Sequence, residues 1–107
     1  MGYYTNYELE VYDSGNDIEE VIADLRKTNS RAEYALDEGG SCQSSCKWYE
    51  WKKDMIEFSK KYPKALFILE GKGEDPGDLW KAWFKNGKIF FSKAKFVYEE
   101  YSPDKLV

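Results

Sequence analysis

The chain has 107 residues, room for one domain with one core, so residues 1–107 read as a single unit. Tyr, Phe and Trp make up 18% of it, far above the content of a disordered chain, and point to a core built from a few large rings. It contains no histidine, which excludes Ser-His-Asp and Cys-His catalysis, histidine metal centres and imidazole acid-base chemistry together. Its two cysteines, Cys42 and Cys46, are too few for a four-cysteine zinc or iron-sulfur centre. No catalytic residue, cofactor or metal site is therefore assigned. The net charge of −4 is divided unevenly, with 11 acidic and 4 basic side chains in residues 1–50 against 9 and 12 in residues 51–107. No apolar run reaches the roughly 18 residues of a membrane span, and the start, Met-Gly-Tyr-Tyr-Thr-Asn-Tyr-Glu, lacks the basic-then-apolar layout of a signal peptide. The expectation is a cytoplasmic protein without membrane contact.

Residues 3–12 alternate with period two, Tyr7, Leu9 and Val11 to one side and Asn6, Glu8 and Glu10 to the other, which predicts a half-buried strand. Asp13-Ser14-Gly15-Asn16 breaks it, and Asn16 with Glu19 has capping-box spacing. Ile18, Val21, Ile22 and Leu25 then share one helical face, predicting a helix over roughly residues 17–28. Ala32-Glu33-Tyr34-Ala35-Leu36 is read as a short strand. Cys46-Lys47-Trp48-Tyr49 returns as the other arm of a loose hairpin across the turn-rich Asp37–Ser41, in competition with a second helix starting at Ser45. Met55, Ile56, Phe58 and Tyr62 give that second helix its apolar face, and Pro63 stops it. Residues 65–71 are strand-like and Gly73–Gly77 is a turn by composition. Leu79–Phe84 leads into Asn86-Gly87, whose tolerance of positive φ marks a type I′ hairpin, and a strand from Ile89 to about Tyr98 completes it. Residues 102–107 form a tail. The order of elements predicts an α+β fold: a ferredoxin-like βαββαβ core with an additional C-terminal β-hairpin, its antiparallel sheet carrying two helices on one face.

Cys42 and Cys46 lack Cys-x-x-Cys spacing and read as two reduced thiols. Gly71–Gly77 lacks the Gly-Lys-Ser/Thr ending of a phosphate loop and reads as a turn, while Glu74, Asp75 and Asp78 follow no calcium-loop spacing. The acidic side chains from Glu8 to Asp24 read as caps and solvated charge, with a surface for a basic partner as the alternative. Trp80, Trp83, Phe84, Phe90 and Phe91 are interspersed with Lys81, Lys85, Lys88 and Lys93. Some of these rings must enter the core, and the surplus predicts a contact surface. The binding set is Trp80, Lys81, Trp83, Lys85 and Lys88, with Lys47 and Trp48 as neighbours: rings as desolvated anchors, lysines orienting an acidic protein or a phosphate-bearing ligand. Stacked rings and lysines on a sheet also suit a nucleotide or single-stranded nucleic acid, although no RNP-type motif occurs and the isoelectric point of 4.9 opposes general nucleic-acid affinity. A homo-oligomer is a further expectation, with a second copy covering the open sheet face or an edge strand.

Over Cys46-Lys47-Trp48-Tyr49, Asp54-Met55, Glu57–Pro63, Gly77-Asp78-Leu79-Trp80 and Phe84–Lys88, the chain resembles small uncharacterised proteins encoded by bacteriophages and their bacterial hosts. The resemblance spans nearly the whole length. It implies a phage accessory product acting in the host cytoplasm, binding and disabling a host defence or regulatory protein, or sequestering its nucleotide signal.

Overall fold

The strict alternation of residues 5–12 produces the first strand, β1 (Thr5–Tyr12), with Thr5, Tyr7, Leu9 and Val11 turned inward. The structure is a computed structural model describing residues 2–107. A turn follows in which Asp13 takes a φ of 55° and the Ser14 hydroxyl donates to the Asn16 carbonyl at 2.7 Å. Helix α1 (Ile18–Thr28) is capped by Asp17, one residue later than expected, whose carboxylate accepts the Glu19 N–H at 2.9 Å. Val21, Ile22 and Leu25 are buried, whereas Ile18 is 49% exposed.

Asn29 ends α1 and starts α2 (Ser30–Ala35), accepting the N–H groups of both Arg31 and Ala32 at 3.0 Å. The strand expected at Ala32–Leu36 is thus a helix through Ala35, because a double cap organises its first turn and Ala32 and Ala35 bury one small face at i, i+3. Leu36 makes only an isolated bridge to Cys42, and Cys46 one to Thr5, so the expected hairpin of 32–36 with 46–49 is absent as well. The segment between lies along the outer edge of β1. Leu9 N–H donates to Gly40 O at 2.7 Å, and Thr5 and Cys46 exchange bonds of 3.0 and 2.9 Å.

Helix α3 (Trp51–Lys61) buries Met55, Phe58 and Ser59 and ends before Pro63. Strands β2 (Leu66–Gly73), β3 (Leu79–Lys85) and β4 (Lys88–Lys93) follow as a meander. Asn86 and Gly87 have φ of 47° and 80°, the I′ geometry expected, and the Gly87 N–H donates to Ser59 Oγ at 2.8 Å, pinning the hairpin against α3. β4 stops at Lys93 instead of running to Tyr98, because β3 begins at Leu79 and offers its last bond, Leu79 O, to the Ala94 N–H at 2.8 Å. The tail carries only a short 3-10 turn, η1 (Pro103–Lys105).

The fold is α+β, but the sheet is a single four-stranded one in the order β1-β2-β3-β4, antiparallel throughout. This corrects the ferredoxin-like expectation, whose interleaved order requires parallel crossovers and the two strands that residues 32–36 and 46–49 do not form. The hairpin of β3 and β4 is likewise half of the one sheet, not an addition to a complete core. One hydrophobic cluster joins Val21, Ile22, Leu25, Ala32, Ala35, Met55 and Phe58 of the helices to the inward residues of β1, β2 and β3. Among the described residues no helix is long and apolar enough to cross a membrane.

Two tyrosines tie distant segments together. The Tyr7 hydroxyl donates to Trp48 O at 3.1 Å, and burial pushes it up to about 12. The Tyr62 hydroxyl donates to Asp24 at 2.6 Å, and that carboxylate holds it up to about 12. Lys61 and Tyr62 together hold Asp24 below the usual carboxylate range. In the unfolded chain both phenols ionise near 10.0. Below that pH the two tyrosines contribute fully, and between pH 10 and about 12 the unfolded chain releases protons that the folded one retains, so stability falls as pH rises. Urea midpoints measured across this window are expected to drop, and to drop less in Tyr7→Phe than in the wild type.

Candidate binding surface

Period two sends alternate residues of every strand to opposite sides, and the register fixes which ones meet. On the helix side, Tyr7 stands opposite Gly71 and Gly71 opposite Trp80. Having no side chain, Gly71 leaves the space that the Trp80 ring fills. Trp80 stacks on Trp51 with centroids 4.1 Å apart and planes 15° from parallel, and is 7% exposed. Trp48 is 1% exposed, packs its edge on Tyr7 at 5.3 Å and donates Nε1–H to Asp54 Oδ2 at 2.8 Å. Trp48 and Trp80 were expected as surface anchors, and burial corrects this: both rings are committed to the core. Lys47 lies elsewhere, its Nζ 5.1 Å from the centre of the Tyr4 ring.

Among the described residues no helix covers the other side of the sheet. Across it, Glu10, Ile68, Trp83 and Phe90 form one row, and Glu8, Glu70, Lys81 and Ser92 the next. Lys85 and Lys88 close the hairpin end as a facing pair. Trp83, Lys81, Lys85 and Lys88, four of the expected binding residues, therefore share one face. Trp83 and Phe90 have ring centres 5.4 Å apart at a 45° tilt, and Phe90 is 65% exposed. A groove of about 450 Å³ runs beside them, with Pro63, Leu66, Lys85 and Lys88 in its walls. Lys81 reaches Glu70 at 4.0 Å with both side chains half exposed, a weak pair that leaves the ammonium available. The face is graded in charge, with Glu8 and Glu10 on β1 and lysines on β3 and β4, and the apolar Trp83 and Phe90 lie between Lys81 and the Lys85–Lys88 pair. Phe90, Ile68 and Leu66 complete the surface yet escape the sequence-derived set, because residues 65–69 are apolar on both phases and hide which side lacks a helix.

The remaining motifs have structural occupations. Asp78 accepts the Tyr3 hydroxyl at 2.7 Å, and Glu74 accepts the Tyr4 N–H, so the acidic turn anchors the N-terminal segment. Cys42 and Cys46 are both free thiols, and burial pushes the Cys46 thiol up, away from the reactive thiolate. No protein-family model, curated protein or solved structure matches the chain.

Proposed function

We propose that the chain is a non-catalytic binding protein that inhibits a protein partner by seating an acidic, apolar segment of it on the open sheet face. The observation that carries this reading is the pair of a half-buried Trp83 and an exposed Phe90, set beside a groove and bordered by Lys81, Lys85 and Lys88. Rings of this kind lose water on contact at little entropic cost, and flanking lysines set the orientation of an acidic segment. Glu8, Glu10 and Glu70 on the same face confine the positive patch to β3 and β4, which suits a short acidic segment with apolar side chains better than the continuous phosphate run of a nucleic-acid strand. The resemblance to phage accessory proteins supplies the first class to test: a host defence or regulatory factor in the bacterial cytoplasm.

The test compares the immobilised wild type with Trp83→Ala/Lys85→Ala in bacterial lysate, followed by titration calorimetry on the protein recovered. Both side chains lie on the face away from the core, so the double variant keeps its fold. Affinity is expected to fall by about 100-fold or more, the effect of removing two central interface side chains. Unchanged affinity, or recovery of a nucleotide instead of a protein, overturns the reading.

A further inference from the structure

The two edges of the sheet differ. The outer edge of β1 is occupied by the Gly40–Cys46 segment, whereas β4 is last in the order and no described strand lies beyond it. Lys85 opposite Lys88 and the Ala94-to-Leu79 bond fix the phase of β4. Lys88, Phe90, Ser92 and Ala94 direct their backbone groups to β3, while Ile89, Phe91 and Lys93 direct theirs outward, where unpaired N–H and C=O groups template another strand. The chain then continues as Ala94-Lys95-Phe96-Val97-Tyr98-Glu99-Glu100, with no Gly, Pro, Asn or Asp to turn it back. Phe96, Val97 and Tyr98 are 59%, 89% and 91% exposed. The radius of gyration is 16.5 Å, against about 13 Å for a compact chain of this length.

We propose that the β4 edge and its continuation pair with the same segment of a second copy, antiparallel about a twofold axis at Ala94. Opposite residues in an antiparallel pair share a face, so a self-pairing segment is centred on a residue. Centred on Ala94, the register sets Phe90 opposite Tyr98, Phe91 opposite Val97 and Lys88 opposite Glu100 of the second copy, each pair formed twice, against a like-charge match of Lys93 with Lys95 that is also formed twice. Centred on Lys93, two lysines meet on the axis and Phe91 faces Lys95. The Ala94 register is the one that lays the continuation, residues 95–100, against the whole of β4, Lys88–Lys93, and it joins two four-stranded sheets into one of eight. The proposal stands independently of the partner-binding reading.

Sedimentation equilibrium of the full chain tests it. The wild type is expected to show a concentration-dependent dimer. Val97→Pro removes an outward N–H in each copy without touching the β3 ladder, and should raise the dimer dissociation constant by about tenfold or more with near-ultraviolet circular dichroism unchanged. Lys88→Glu and Glu100→Lys should each weaken the dimer, and the two together in one chain should restore it, since the pair re-forms only between copies. A wild type that stays monomeric at every concentration, a Val97→Pro protein that dimerises like wild type, or a double variant that stays weakened overturns the proposal.

Discussion

Trp48→Ala is expected to destabilise the protein by about 3–5 kcal/mol, lowering Tm by about 15–25 °C. The ring is 1% exposed and packs against Tyr7, whose hydroxyl donates to the Trp48 backbone carbonyl, so truncation opens a cavity where β1 meets the segment preceding α3. It also withdraws the indole N–H from Asp54 Oδ2, an oxygen that the Asn29 amide reaches at 2.9 Å from the start of α2. One carboxylate therefore joins α2, the Trp48 segment and α3, and loses half its support. Trp48→Phe separates the two contributions: it keeps most of the volume and removes the donor, so its cost should be nearer about 1–2 kcal/mol. Thermal unfolding of the two variants beside wild type checks this, and equal losses would show that the hydrogen bond, not the cavity, dominates.

Gly40→Ala should cost about 2–4 kcal/mol although it adds one methyl group. The residue has φ of +87°, and a Cβ there would stand 2.4 Å from the backbone oxygen of Leu9, which cannot swing aside as a side chain can. The segment must lift, breaking the Leu9 N–H bond to Gly40 O, the tie that occupies the middle of the β1 edge. Denaturant midpoints measure the total loss. Hydrogen exchange localises it: the Leu9 amide should exchange much faster than the β2–β3 amides, and equal acceleration of both would place the damage in the whole sheet instead.

How much of this was legible in the sequence varies by segment, for physical reasons. β1 and α1 carry long unambiguous periods, and Asn86-Gly87 admits few geometries, so these elements were readable directly. Residues 30–49 were not. Trp48 apart, their buried side chains are few and small, Ala32, Ala35 and Leu36 foremost, and too close together to separate a helical period from an extended one. Asn29 reads as a break between elements, yet it ends one helix and caps the next. The pairing of Cys46 with Thr5 is a contact across 41 positions that no local pattern carries. In the binding set, Trp80 and Trp83 sit three apart on a strand and must face opposite ways, but aromatic residues on both phases conceal which is inside. Trp48 and Trp83 look alike beside their lysines. What separates them is Asp54, six residues after Trp48, an acceptor that lets an indole N–H be buried.

The division of the four tryptophans gives the molecule two separate optical reporters. Trp48, Trp51 and Trp80 belong to the aromatic packing under the helices, and the near-parallel stack of Trp51 on Trp80 at 4.1 Å is close enough for their electronic transitions to couple. A split circular-dichroism band from that pair would register the integrity of the core and vanish on unfolding. Trp83 stands alone on the opposite side of the sheet, so a change of emission confined to it would register occupancy of the open face. Signals of folding and of ligation can thus be read from one unlabelled sample, with Trp83→Phe as the blank that silences only the second.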